Sequence, residues 1–121
     1  MISIGNTIPD VTCEAYLPDG RVDSAHAHRA WVRHGLGAVK FPILGDVSRK
    51  LAQGFGVPAD SGVAVRTIFI VNPEGQVMSI AVNDLNVGRS AQETLRLPHA
   101  LQSGELTACE WQPGQPFVAV A

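Results

Sequence analysis

The chain has 121 residues, of which 45% are hydrophobic and 17% are charged, and its formal net charge at pH 7 is −2. This length and balance predict one folded globular domain rather than a disordered chain. The nine Lys and Arg residues are scattered, which excludes the basic patch of a nucleic-acid-binding protein, and no apolar run reaches the roughly 20 residues that span a membrane. The first residues contain neither a basic leader nor an apolar signal core, so we expect a cytoplasmic protein.

The first third of the chain predicts a short strand followed by a helix. Residues 8–16 have the composition of an edge strand, and residues 17–20 carry Pro and Gly where a turn prefers them. Asp23 and Ser24 are candidate N-caps for a helix over residues 25–34, which Gly35 and Gly37 would end.

The middle of the chain predicts a strand, a turn and a second helix. Residues 39–44 form a short apolar stretch interrupted by Pro42. Asp46 is placed to cap a helix that runs through Gln53, with Val47 and Leu51 on its inner face and Gly54 closing it.

A β-hairpin is the strongest local prediction. Residues 67–71 are a nearly unbroken run of strand formers, typical of a central strand covered on both faces. Asn72-Pro73-Glu74-Gly75 has the residue order of a type I turn, and residues 76–82 can return as the partner strand.

The last helix has a clear start and a conflict in its interior. Ser90 and Glu93 have capping-box spacing, in which the hydroxyl and the carboxylate each satisfy a backbone N–H. Pro98 falls within the same stretch and predicts a kink or a break. Residues 110–121 hold Pro113, Gly114 and Pro116, which favours an extended arm over the surface.

Several stretches of the sequence, in this order along the chain, carry a resemblance to a known family. The longest are RTIFIVNPEG at 66–75, VNDLNVGRS at 82–90 and ETLR at 93–96. Upstream lie Val22-Asp23-Ser24 with His28 and Trp31, FPIL at 41–44 with Asp46, and IPDV at 8–11. Together these stretches resemble the peroxiredoxins, the AhpC/TSA-type alkyl hydroperoxide reductases, in their typical two-cysteine form.

The resemblance has one internal gap, between about Gly20 and Val22. In the family this place holds a core strand, the loop with the peroxidatic cysteine, and the helix that this cysteine caps. The resemblance therefore implies an α/β, thioredoxin-like fold whose central strand–helix unit is missing or rearranged. We expect residues 1–121 to form a single truncated domain with a C-terminal arm at about 104–121.

The resemblance assigns candidate roles to two residues. Arg66 matches the family arginine beside the peroxidatic cysteine, where it would favour the thiolate and hold the peroxide oxygens. Cys109 lies in a segment similar to that of the resolving cysteine, although the usual position corresponds to Thr107. For Cys109 the alternative is a free, half-buried structural cysteine.

For the other candidate ligands and nucleophiles, the neighbouring residues and the spacing favour structural roles. Cys13 has Glu14 beside it and no helix start after it, so it is interpreted as a small buried hydrophobe, with a recruited peroxidatic role as the alternative. His26, His28 and His34 lack ligand spacing. No metal or cofactor is expected.

Three functions remain open at this level. The resemblance implies a thiol peroxidase, an antioxidant oxidoreductase that uses a peroxide and a thioredoxin-like thiol reductant, with weak or no activity because the peroxidatic segment is absent. The alternatives are a non-catalytic remnant that binds itself or an intact peroxiredoxin, and a protein in which Cys109 exchanges disulfides with another chain. A missing core unit would expose apolar surface, so we expect a homodimer or a higher oligomer.

Overall fold

The computed structural model describes residues 1–19, 22–23, 26–57 and 62–120, with the backbone alone at 22–23 and 26–28. The chain divides into two compact units, one of Met1 and Pro9–Val57 and the other of Ile2–Ile8 and Pro58–Ala121. Its elements in order are β1 Glu14–Tyr16, β2 Val22–Asp23, α1 His26–Trp31, β3 Ile43–Gly45, α2 Lys50–Gly54, β4 Arg66–Val71, β5 Val77–Asn83 and α3 Ala91–Ser103.

The first unit contains a small antiparallel sheet in the order β2–β1–β3. Tyr16 pairs with Val22 on one side and with Ile43 on the other, so the prediction of an edge strand is wrong. The strand also begins six residues later than predicted, at Glu14. Burial decides this placement, because Tyr16 is 7% exposed and packs with Val32 against partly buried Val39 and Ile43.

The helix predicted for residues 25–34 is present, with a different ending. After α1, a π-helical turn covers Val32–Leu36. Gly37, at φ 82°, ends this turn and donates its N–H to the Val32 carbonyl at 3.0 Å, whereas Gly35 lies inside the turn. The predicted N-cap lies outside the described residues, because Ser24 and the Asp23 side chain are not described.

The strand and helix that follow are shorter than the sequence predicts. β3 begins directly after Pro42, which has no N–H to give to a ladder. α2 begins only at Lys50, yet the Asp46 carboxylate accepts from the N–H groups of Leu51 and Ala52, each at 2.9 Å. Asp46 thus caps α2 across an intervening turn, and Val47, at 86% exposure, does not face inward as predicted.

The predicted β-hairpin is confirmed in the second unit. β4 and β5 pair from Arg66–Asn83 to Val71–Val77, with a bulge between Ile70 and Val71. In the turn, Gly75 donates to the Asn72 carbonyl at 3.0 Å, and the Asn72 side chain accepts the N–H of Gln76 at 2.8 Å.

The N-terminal segment adds a short pairing to this hairpin. Thr7 bridges Gln76, and the Ile8 N–H donates to the Gly75 carbonyl at 2.8 Å. Ile8 therefore belongs to the second unit, and the prediction that it begins the first strand is wrong. The hairpin forms a two-stranded sheet in which residues 67–71 are half-buried, so the prediction of a fully covered central strand is wrong.

The last helix, α3, begins where the sequence predicts, directly after Ser90, but it does not break. The Ser90 hydroxyl accepts the N–H of Glu93 at 3.2 Å, and Gly104, at φ 68°, forms the C-cap. Pro98 lies inside the continuous helix. The predicted break is absent, although Pro removes a backbone donor from a helix interior; Pro98 is half-buried and, with Leu101, lines a groove against the turn end of the hairpin.

Candidate functional site

Arg66 is the first residue of β4 and is exposed. Its Nε donates to the Leu85 carbonyl at 3.2 Å, which fixes one edge of the guanidinium. Alternation along β4 puts Arg66 on the same sheet face as Ile68 and Ile70, and its partner across the ladder is Asn83.

A groove of about 230 Å³ lies between this sheet face and the first turns of α3. Its floor is apolar, and its polar side chains come from the end of β5 and the start of α3; the principal lining residues are Ile68, Ala81, Leu97, Asn83, Arg89 and Glu93. The sequence predicts no role for Asn83 or Arg89, which belong to the VNDLNVGRS stretch. Asn83 ends β5 and Arg89 lies shortly before α3. This position, between the end of a strand and the start of a helix, is the sequence signal from which a role could have been predicted.

Cys109 is free and exposed, which contradicts the half-buried alternative. It lies in a turn closed by a hydrogen bond from the Trp111 N–H to the Ala108 carbonyl at 3.1 Å. The next residue, Glu110, has φ 59°, a left-handed conformation that costs energy for a residue with a side chain. The turn therefore presents the thiol outward at a conformational cost.

The predicted C-terminal arm forms no helix or strand over residues 104–120, but it is folded rather than extended. Trp111 is 4% exposed and stacks on Phe117 at a ring separation of 5.6 Å. Its indole N–H donates to the Gln115 carbonyl at 3.0 Å, and Val118 donates to the Leu106 carbonyl at 2.8 Å. These bonds close the arm into a loop around one buried aromatic ring.

The three candidate redox and charge residues are held by different parts of the chain. Arg66 is bonded to the loop after β5, and the turn of Cys109 is attached to α3 through a hydrogen bond from Arg96 to the Trp111 carbonyl. Cys13 is free and half-buried in the first unit, one residue before β1. The roles predicted for Arg66 and Cys109 stay predictions.

Comparison with known proteins identifies the family. Residues 21–80 match the model of the AhpC/TSA family. The chain is 38% identical over 123 residues to the mitochondrial thioredoxin-dependent peroxide reductase of Mus musculus, covering 93% of this chain and 47% of that protein. It is 43% identical over 107 residues to peroxiredoxin-2 of Macaca fascicularis, covering 80% and 54%. The chain thus spans about half the length of the curated relatives it matches.

Solved structures agree on the fold. The 2-Cys peroxiredoxin of Plasmodium vivax superimposes with a TM-score of 0.80 at 21% identity, over 94% of this chain and 91% of that one. The AhpC of Mycobacterium bovis gives a TM-score of 0.64 at 40% identity, over 74% and 51%. The chain has the thioredoxin-like fold of these proteins, and it belongs to the peroxiredoxin family.

Proposed function

We propose that this chain takes part in the thiol-dependent reduction of peroxides through Cys109, as the thiol that resolves a cysteine sulfenic acid carried by a second chain. The observation that carries the proposal is a free, exposed thiol on a folded arm in a member of the peroxiredoxin family. The name of one relative, thioredoxin-dependent peroxide reductase, supports a peroxide as substrate and a thioredoxin-like thiol as reductant.

The chemistry divides into three balanced steps. A thiolate on the second chain attacks the peroxide O–O bond, takes one oxygen to become a sulfenic acid, and releases an alcohol or water. The Cys109 thiol then gives up its proton and its sulfur attacks the sulfenic sulfur, so that an S–S bond forms, the S–O bond breaks, and the leaving hydroxide takes up that proton to become water. Two reductant thiols finally reduce this disulfide by exchange.

Arg66 is proposed to serve the peroxide step rather than the resolving step. A guanidinium presents fixed donors and a permanent positive charge, which stabilise a thiolate and orient peroxide oxygens. Because the resemblance leaves out the segment with the peroxidatic cysteine, we expect peroxide consumption by this chain alone to be weak or absent. The exposed thiol favours this role over a non-catalytic remnant that only binds partners.

We further propose that the chain forms a homodimer or a higher oligomer. Large hydrophobic side chains of the described residues are exposed, for example Phe41 at 61%, Leu95 at 64% and Val47 at 86%. Among the same residues, the buried hydrophobic side chains are few: Tyr16, Val32, Val77 and Trp111. Association would cover part of this exposed apolar surface.

The proposed location is the cytoplasm, although one relative is mitochondrial by name. Both cysteines are free, and resolving chemistry needs reduced thiols, which a reducing compartment maintains. In the described part of the chain, no helix is both long enough and apolar enough to cross a membrane.

Two measurements on the purified protein test the proposed reaction. In the first, peroxide consumption with a thiol reductant is compared among the parent, Cys13→Ser and Cys109→Ser, with a full-length relative as the active control. We expect only the background of a free thiol in all three proteins. The proposal would be contradicted if the parent consumed peroxide at a rate within a few tens of times that of the relative, and Cys13→Ser did not. Such a result would show that Cys13 reacts with peroxide.

The second measurement uses a full-length peroxiredoxin whose own resolving cysteine is replaced by serine. After one equivalent of hydrogen peroxide, we expect a covalent adduct with the parent and with Cys13→Ser, and none with Cys109→Ser, on non-reducing gels and by intact mass. No adduct with the parent, or an adduct that persists in Cys109→Ser, would contradict the resolving role.

A further inference from the structure

β4 has a neighbouring strand on one side only. In the described part of the chain it pairs with β5 and with no other strand. The bulge in this ladder adds its extra residue, Met78, to β5, so β4 stays regular along its outer edge. Proteins commonly protect such an edge with proline, charged side chains or a bulge, and β4 contains none of these between Thr67 and Val71. The outer edge of β4 can therefore accept one more strand.

The outer edge of β5 differs, because the N-terminal segment covers part of it. The Gly5 N–H donates to the Val77 carbonyl at 2.8 Å, and the Val77 N–H donates to the Asn6 carbonyl at 2.9 Å. The bulge at Met78 comes directly after this contact. Of the two outer edges of the hairpin, the one on β4 is thus the more regular.

An exposed apolar surface lies beside β4. Ile68 of β4 lines a shallow depression together with Ala91 and Leu95 of α3, and Leu95 is 64% exposed. Ile68 and Ile70 lie on the sheet face that α3 covers. A strand added to β4 should therefore place apolar side chains on this same face.

The hairpin also carries two opposite charges that have no ion-pair partner among the described residues. Arg66, at the start of β4, is exposed and donates to the Leu85 carbonyl. Glu74, in the turn after β4, is exposed as well. An antiparallel neighbour runs in the opposite direction, so a second hairpin paired through β4 would bring its turn to the Arg66 end of the first.

We propose that β4 pairs with β4 of a second copy of this chain, antiparallel and about a two-fold axis perpendicular to the sheet. This inference rests on the oligomer proposed above and names its interface. In the register that we infer, Ile68 lies opposite Ile70 of the second copy, and both side chains lie on the α3 face of a four-stranded sheet.

Charge complementarity favours a second copy over an unrelated strand as the occupant of this edge. The same register puts Arg66 opposite Asn72 of the second copy, two residues before Glu74. A diagonal neighbour at this spacing is within reach of a long side chain. The two-fold axis repeats the contact, so that an Arg66–Glu74 ion pair forms at each end of the paired strands.

The first test traps this register with a disulfide. Thr67→Cys and Val71→Cys are combined in a protein that also carries Cys13→Ser and Cys109→Ser, because the register puts Thr67 opposite Val71 of the second copy. Within one strand these two residues are roughly 13 Å apart, which is too far for a disulfide. Any disulfide must therefore join two copies.

The matched control is Ser79→Cys with Asn83→Cys, which has the same spacing on β5. With oxidised glutathione at low protein concentration, we expect a covalent dimer on non-reducing gels for the β4 pair of cysteines and a monomer for the β5 pair. A covalent dimer through the β5 pair, or none through the β4 pair, would overturn the inference.

The second test reverses the charges. Glu74→Arg would place two cations together at each end of the interface, so we expect about tenfold weaker association by sedimentation equilibrium. Arg66→Glu should weaken association in the same way, and the two substitutions together should restore it. Glu105→Arg, which changes an exposed residue outside the hairpin by the same charge, should associate as the parent does.

The outcomes separate this interface from the oligomer itself. If the parent sediments as a dimer and Glu74→Arg dimerises with the same dissociation constant, the interface through β4 is wrong and the proposed oligomer stands. A parent that is a monomer at every concentration would overturn both.

Discussion

Of the two arginines Arg66 and Arg96, the sequence predicts a role for the first and none for the second. Arg66 begins a strand and was assigned a role because its motif resembles that of a family. Arg96 lies in the stretch ETLR, and the sequence predicts no role for it because its partner Trp111 is fifteen residues further along the chain. A contact between a side chain and a distant carbonyl leaves no spacing pattern in the sequence.

The pairing of Glu93 with Arg96 predicts a pH dependence confined to the arm. Hydrogen bonds from Arg96 lower the pKa of Glu93 below its ordinary value of 4.5, so the stabilisation from this pair is present above that value. It is lost as the pH falls through the lowered pKa, because the protonated carboxyl no longer attracts the guanidinium. The arm should therefore loosen in acid.

This loosening can be measured through the fluorescence of the buried Trp111 in a Trp31→Phe background, which removes the exposed indole. We expect the emission to shift to longer wavelength as the pH falls below 4.5. In Glu93→Gln the emission should already be shifted at neutral pH and should not change further in that range. A parallel shift in both proteins would mean that the acid transition does not involve Glu93.

At the scale of elements, local chemistry predicts the start of α3 but not the continuation of the helix through Pro98. Ser90 and Gly104 occupy the caps, and these depend only on neighbouring residues. The capping box is formed in part: the Ser90 hydroxyl accepts from Glu93, but both Glu93 oxygens accept from Arg96. A competing partner further along the helix thus takes the carboxylate.

The cap at Ser90 predicts a stability change that is separable from the chemistry. Ser90→Ala should lower the free energy of unfolding by about 1 kcal/mol, because the N–H of Glu93 loses its acceptor. Urea denaturation measures this change. Ser90→Asp is the matched control, since it retains an acceptor and adds a negative charge at the helix N-terminus; an equal loss in both variants would contradict the role of the cap.

The short strands of the first unit were predicted less well than the hairpin. The turn at residues 72–75 fixes the hairpin through bonds among neighbours. β1, by contrast, is placed by pairing with β2 and β3 on either side, and the second of these partners is separated from it by a helix. Its short alternating pattern contains no information about which strands will flank it.

For the whole molecule, the exposed hydrophobic side chains predict that stability depends on protein concentration. If association covers these side chains, the midpoint of thermal unfolding should rise with concentration, since binding of a partner to the folded state stabilises it by mass action. Sedimentation equilibrium over the same range should show a dimer or a larger species. A monomer at every concentration, with an unchanged midpoint, would contradict the proposed oligomer.

The sequence by itself determined the family, the hairpin, the start of α3, and Arg66 and Cys109 as the residues to consider. Sequence motifs, turn residues and helix-capping residues are local properties, so they can be recognised from the sequence alone. Only the tertiary structure decided that β1 lies between two strands, that α3 continues through Pro98, that Cys109 is exposed and that Arg96 bonds to the Trp111 carbonyl. Each of these depends on burial or on a hydrogen bond between distant segments, which the folded chain alone brings together.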